Sequence, residues 1–197
     1  MDMVKKYLPL LIILVLLVLF GLGIALATYL PDTFNTSNNI NKDNIVNNDN
    51  DFTFKSRNAI LSLDTDSTKV TYQVGDEITL QLKLDTKQWN IVGFDAIVNY
   101  PEELVEVSNI TTTDTFENYP LAKAEAGVIK ISGLKDIGDS VRGEYLLAEM
   151  TLKFLATGQA DLAFDYIPFQ TTESNVVENN SGEDMLGIVN NISFTIN

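Results

Sequence analysis

Carboxylates dominate the side chains of this chain that could do chemistry: 27 Asp and Glu stand against 13 Lys and Arg, with no histidine and no cysteine among 197 residues. The missing types exclude a Ser-His-Asp triad, a cysteine nucleophile, a Cys/His zinc site and a disulfide framework. Two kinds of carboxylate chemistry are left. A glycosidase needs two carboxyls flanking a cleft wide enough for a sugar. Glu102-Glu103 and Glu183-Asp184 are instead neighbours in turns, which is a solvated-loop pattern. A domain this small, without inserted loops, has little material for a cleft, so no enzyme is expected. Calcium takes hard oxygen ligands from a loop. Asp165, Glu173, Glu178, Glu183 and Asp184 fall in or beside the stretch 168–187, and Asp165, Glu183 and Asp184 are the candidate metal ligands. The competing reading is an acidic, mobile loop. No other cofactor is expected.

Trp89 is the single tryptophan, in the turn Lys87-Gln88-Trp89-Asn90. It is a candidate carbohydrate contact by stacking, or a cap on the core whose indole N–H finds a partner. The net charge of −14 argues against nucleic acid and anionic lipid as ligands. It fits a solvated exterior, or an acidic surface that holds calcium or steers a basic partner.

These groups have to be positioned by strands. In Val74-Gly75-Asp76-Glu77-Ile78-Thr79-Leu80-Gln81-Leu82-Lys83-Leu84-Asp85 the apolar residues fall at every second position after a Gly-Asp turn. That period of two is the signature of a half-buried strand. Val92, Phe94, Ala96, Val98 and Tyr100 share one face of the next run, which Pro101 breaks before a new β-prone run begins at Leu104. Further strands are expected at 59–63, 69–72, 121–125, 128–132, 145–155, 160–166 and 191–196. In the run 145–155, Leu146, Ala148, Met150, Leu152 and Phe154 are expected on one face. Many short strands with turn signals between them, and no helical period, predict an all-β fold: an antiparallel two-sheet sandwich.

The order and spacing of these runs resemble a cohesin domain, the jelly-roll β-sandwich receptor into which dockerin modules plug. A Gly-Asp turn opens a strand, and a Phe-Asp strand ends at Tyr100-Pro101, followed by Leu104-Val105-Glu106-Val107. Leu147-Ala148-Glu149-Met150-Thr151-Leu152-Lys153-Phe154 and the closing Ile192-Ser193-Phe194-Thr195-Ile196 continue the match. The Tyr-Pro turn lacks the aspartate that the family carries between the two residues. The resemblance covers roughly residues 58–197. It implies a dockerin-binding surface on the outer face of the sheet holding the third, fifth, sixth and eighth strands. Strand parity on this chain then gives Thr79, Gln81 and Lys83, with Tyr145, Glu149, Thr151 and Lys153, as partner-binding positions.

Residues 8–27 form an apolar run without a charge, about the 20 residues that span a bilayer as a helix. Lys5 and Lys6 precede it, which leaves that end in the cytoplasm and the remainder outside. The alternative is a secretory signal cleaved near Ala25-Leu26-Ala27, although such segments have shorter apolar cores. Residues 31–55 are rich in Asn, Asp, Thr and Ser without periodicity, the composition of a flexible, disordered linker. Its Asn and Asp runs lack the glycine and glutamate of an EF-hand in register. The domain plan is therefore 1–30 anchor or signal, 31–56 linker and 57–197 sandwich.

The expected function is a non-catalytic, protein-binding module displayed at the cell surface, docking a dockerin-bearing partner. The rival readings are a carbohydrate-binding module with a polysaccharide ligand and a structural or adhesin domain of the envelope. Exposed aromatics on one face would favour sugar; an apolar patch rimmed by polar groups would favour protein.

Overall fold

The computed structural model describes residues 56–197 apart from Val70, Phe169 and Thr171. The apolar segment 8–27 and nearly all of the linker lie outside the described residues. Every regular element among them is a strand: β1 (Ala59–Thr65), β2 (Thr71–Tyr72), β3 (Glu77–Asp85), β4 (Ile91–Asn99), β5 (Val105–Thr112), β6 (Asn118–Glu125), β7 (Val128–Leu134), β8 (Glu144–Phe154), β9 (Gly158–Phe164), β10 (Asn175–Glu178), β11 (Leu186–Asn190) and β12 (Ile192–Ile196). A five-stranded sheet has the order β11-β1-β3-β8-β5. A seven-stranded sheet has the order β2-β12-β9-β4-β7-β6, with β10 also paired to β4.

The alternation in the sequence sets the layers. Leu80, Leu82 and Leu84 of β3 are buried, and so are Phe94, Ala96 and Val98 of β4 and Met150, Leu152 and Phe154 of β8. Apart from Ala96, each such side chain contributes roughly 1.5–3 kcal/mol when taken out of water. Two ring clusters fill the ends of the layer. Tyr72, Phe154 and Phe194 stack within 4.8–5.6 Å of one another, and Phe94 lies 5.0 Å from Phe116. The β6–β7 hairpin turns through Ala126 and Gly127, both at positive φ, the geometry that two-residue hairpins need.

The structure changes the strand reading in four places. Two pairings are parallel, β1 with β11 and β2 with β12, because the C-terminal run divides at Asn191 and serves both sheets. The stretch expected as a mobile acidic loop contains β10 and the start of β11. The strand β6 lies in the seven-stranded sheet, so no sheet holds the third, fifth, sixth and eighth strands together. Finally, the β3–β8 register shifts so that Leu82 faces Ala148 while Lys83 faces Leu146. Leu147 is the extra residue of this bulge and is fully buried, as is Ala148. One extra residue reverses the facing of everything before it. Leu146 therefore points outward, and Tyr145, opposite Leu84, turns towards the end of the core.

Candidate functional site

The outer faces of the two sheets are the surfaces large and regular enough to receive a partner, and their side chains are organised differently. On the five-stranded sheet the outward rows follow from register. Asp64 meets Gln81, which meets Glu149; Thr79 meets Thr151; Glu77 meets Lys153, which meets Glu106. Six of the seven partner-binding positions predicted by parity are brought together here: Thr79, Gln81, Lys83, Glu149, Thr151 and Lys153. The seventh, Tyr145, is corrected by the bulge. Its hydroxyl donates to the Arg142 carbonyl at 3.0 Å and its ring packs at the margin of the core.

Much of this face is paired with itself. The Lys83 ammonium donates to Asp64 at 2.7 Å, and the Gln81 amide donates to Glu149 at 2.9 Å. The hydrogen bond from Lys83 holds the Asp64 carboxyl below its ordinary value, helped by the Thr65 backbone N–H. Apolar groups collect at one end only, where Ile60, Leu146 and Ile188 face out; Ile188 is 46% exposed.

The outer face of the seven-stranded sheet runs from β12 and β9, where Asp161 and Ser193 point outward, to β4, β7 and β6, with β10 beside β4. Ile97, Leu121, Val128 and Leu134 face outward here by register, and Val177 joins them from β10. Leu134 is 51% exposed and lies across the bare backbone of Gly93, where a Cβ would meet its Cδ2 at 2.9 Å. Beyond it, Ile137 is fully exposed at the tip of a turn closed by the Asp139 N–H on the Asp136 carbonyl. That turn is fastened back to the sheet by the ion pair of Lys135 with Glu117 and by the Asn118 amide on Asp136 at 2.8 Å.

Polar groups on this second face divide into satisfied and unsatisfied. Asp95 accepts from the Ser132 hydroxyl on one oxygen and from the Asn175 amide on the other, at 3.0 Å. Lys123 and Lys130 stand directly opposite each other across β6 and β7. Lys123 reaches Glu125 at 2.7 Å, and the two lysines together lower the Glu125 carboxyl, the Lys123 hydrogen bond most of all. Lys130 is exposed and forms no ion pair of its own among the described residues. Like charges placed opposite one another destabilise a sheet.

The candidate metal ligands are not gathered into a site. Asp184 is almost fully buried; its Oδ1 accepts the Val176 and Leu186 N–H groups at 2.9 and 3.0 Å, and its Oδ2 lies 3.6 Å from the Arg57 guanidinium. It fastens β10 to β11 and the entry of β1 to both. Glu183 is exposed, and Asp165 lies across the start of this segment with its backbone N–H on Ile97. Among the described residues no group of three or more acidic side chains could hold a metal ion. Glu178, counted from the sequence only among the loop carboxylates, is buried at the end of β10. Burial alone would raise its carboxyl, but the Ser181 hydroxyl and N–H, together with Asn180, outweigh it and lower it to about 2. The signal was present in Glu178-Asn179-Asn180-Ser181-Gly182, where an acid precedes several donors in a turn.

Trp89 packs against the core, and its indole N–H donates to Asn58 at 2.8 Å. It caps the end of the sandwich and fastens the chain just before β1.

No family model matches the sequence, and no curated protein matches it. Solved structures do. A cohesin from Clostridium acetobutylicum is 14% identical with a TM-score of 0.57, over 72% of this chain and 92% of that one. The seventh ScaB type I cohesin from Pseudobacteroides cellulosolvens is 20% identical with a TM-score of 0.54, over 71% and 92%. A type I cohesin–dockerin complex from Clostridium thermocellum gives 16% identity and a TM-score of 0.54, over 71% and 99%. At these identities the likeness concerns the fold, which spans nearly the whole of each matched chain.

Proposed function

From the cohesin-like fold as premise, we propose that this chain is a non-catalytic protein-docking module whose partner carries a dockerin-like unit. The single observation that carries the reading is the outer face of the seven-stranded sheet. Leu134 and Val177 in one row, Leu121 in the next and Ile97 in the one after present apolar side chains, interleaved with Asn175, Asp95 and Ser132 in the middle row and with Lys130 and Lys123 beside Ile97. Exposed apolar side chains set among hydrogen-bonding groups are the composition of a protein interface. A stacked aromatic platform would favour polysaccharide instead, and Trp89 is packed on the core rather than presented on either face. The structures this fold resembles include cohesins solved with dockerins. The apolar segment 8–27 and the linker support display outside a membrane, with the module carried on a tether.

Pull-down with the full chain from the source organism's envelope fraction tests this, with calcium present and with calcium chelated, since dockerins fold around calcium. Calcium-dependent recovery of a protein with paired EF-hand-like repeats supports the reading, provided that Leu134→Asp abolishes the recovery. Retention on polysaccharide, with no protein recovered in either condition, would replace it with the carbohydrate-binding alternative.

A further inference from the structure

The strand β7 ends at Leu134, but the chain stays fastened for one more turn. The Lys135 N–H still bonds the Val92 carbonyl at 2.8 Å, as if the strand continued, and the Asp139 N–H closes the turn on the Asp136 carbonyl at 3.0 Å. The Lys135 ammonium donates to the Thr115 carbonyl at 3.2 Å and pairs with Glu117. Glu117 also accepts the Asp136 N–H at 3.2 Å, and the Asn118 amide holds the Asp136 carboxylate. At the tip of this braced turn stands Ile137, fully exposed, followed by Gly138 at positive φ in open space. A turn that only reverses the chain is served by polar residues. An aliphatic side chain held out in water contributes no burial to the free fold. Its backbone, however, is already ordered, which lowers the cost of seating it in a partner. Ile137 lies three residues beyond Leu134, so it extends the exposed apolar side chains of the docking face past the end of the sheet.

The charged groups on this turn and on the segments hydrogen-bonded to it are Lys135 and Arg142 against Asp114, Glu117, Asp136 and Asp139. Lys135 is matched by Glu117, and Arg142 follows Val141, where the chain bridges back to Ile91. The turn that presents Ile137 is therefore acidic. We infer that Ile137 is an anchor that enters an apolar pocket on the docked partner, and that cations border that pocket. The inference rests on the protein-docking reading and names one feature of the partner's contact surface. The pocket takes a branched aliphatic side chain, with Lys or Arg placed to meet Asp136 and Asp139.

The test uses the full chain held in a non-ionic amphipol, with Ile methyl groups labelled for NMR. The probes are two β-cyclodextrins, whose bore is an apolar pocket; one carries ammonium groups on its rim and the other carboxylates. Empty amphipol is titrated in parallel to correct for ring bound to it. At low salt the ammonium ring is expected to shift the Ile137 methyl at roughly three- to tenfold lower concentration than the carboxylate ring. Asp136→Asn combined with Asp139→Asn should bring the two rings to within about twofold of each other. If neither ring shifts Ile137, or the carboxylate ring binds it as tightly, the inference is overturned. A second arm uses the calcium-dependent pull-down. Ile137→Asp should reduce recovery roughly tenfold with the melting temperature unchanged, and Ile137→Val should retain most of it. Recovery that Leu134→Asp abolishes but Ile137→Asp leaves intact overturns the anchor and keeps the docking reading. If no protein is recovered in either calcium condition, the anchor and the docking reading fall together.

Discussion

On the β3–β8 side of the sandwich a lysine meets an aspartate and a glutamine meets a glutamate; on the β4–β7 side a lysine meets a lysine and a leucine lies over bare glycine backbone. Both sheets obey the same period of two, so the buried halves are alike. The exposed halves are not. The first is largely satisfied within the fold, and its cross-strand pairs each contribute a few tenths of a kcal/mol to about 1 kcal/mol. The second leaves apolar side chains such as Leu134 exposed, which is what a surface completed by another molecule looks like.

The largest effect should come from the place where the two faces join. Asp184 holds β10, which borders one face, to β11, which belongs to the other. Asp184→Ala removes the acceptor for two buried N–H groups and the partner of Arg57. It should lower stability by roughly 3 kcal/mol in denaturant unfolding and loosen both faces together. Loss of one face alone would mean that they are not coupled there.

Next in size are substitutions that separate the faces. Leu134→Asp should weaken partner binding by about 2 kcal/mol or more, some thirtyfold in Kd, with the melting temperature little changed. Lys83→Glu combined with Lys153→Glu, on the six positions that parity singled out, should change binding by less than threefold and lower stability by less than about 1 kcal/mol. The reverse ranking would make the β3–β8 face the docking surface. Lys130→Glu should do two opposite things to stability, turning the like-charge pair with Lys123 into an opposite one while setting a carboxylate near Glu125, so the net change in calorimetry should stay below about 1 kcal/mol.

Much of the architecture was legible because alternation is a local signal. Leu80, Leu82 and Leu84, and Phe94, Ala96 and Val98, are buried as the period demands. The docking geometry was less legible because facing depends on register, and register depends on a partner strand. One buried Leu147 flips Tyr145 inward and Leu146 outward, and nothing in Glu144-Tyr145-Leu146-Leu147-Ala148 distinguishes the bulged residue from its neighbour. The segment β10 was hidden for a different reason. Asn175–Glu178 is four residues long, and its stability comes from Asp95, Asp184 and Ser181, which lie far apart in sequence or across a turn. The like-charge pair Lys123–Lys130 appears only once the hairpin register is known.

The smallest effect is acid-dependent and again unequal between the faces. Glu178 is held at about 2, below its ordinary 4.5, so its contribution to folding is complete above about pH 4.5 and is lost as pH falls towards 2. Because Glu178 ends β10, methyl NMR should show Val176 and Val177 responding in that window before Leu80 and Leu82 of the opposite sheet. Asp64, also lowered, is exposed and should contribute little. Simultaneous movement of both sheets would indicate that β10 has no separate stability.

The central claim is that one face, and not the other, receives the partner. Amide hydrogen exchange on the full chain, free and saturated with the captured partner, tests it most directly. The account predicts new protection along β4, β6 and β7 around Ile97, Lys130 and Leu134, with exchange along β1, β3 and β11 unchanged. Protection centred on Gln81, Lys83 and Glu149, with Ile97 and Leu134 unaffected, would contradict it.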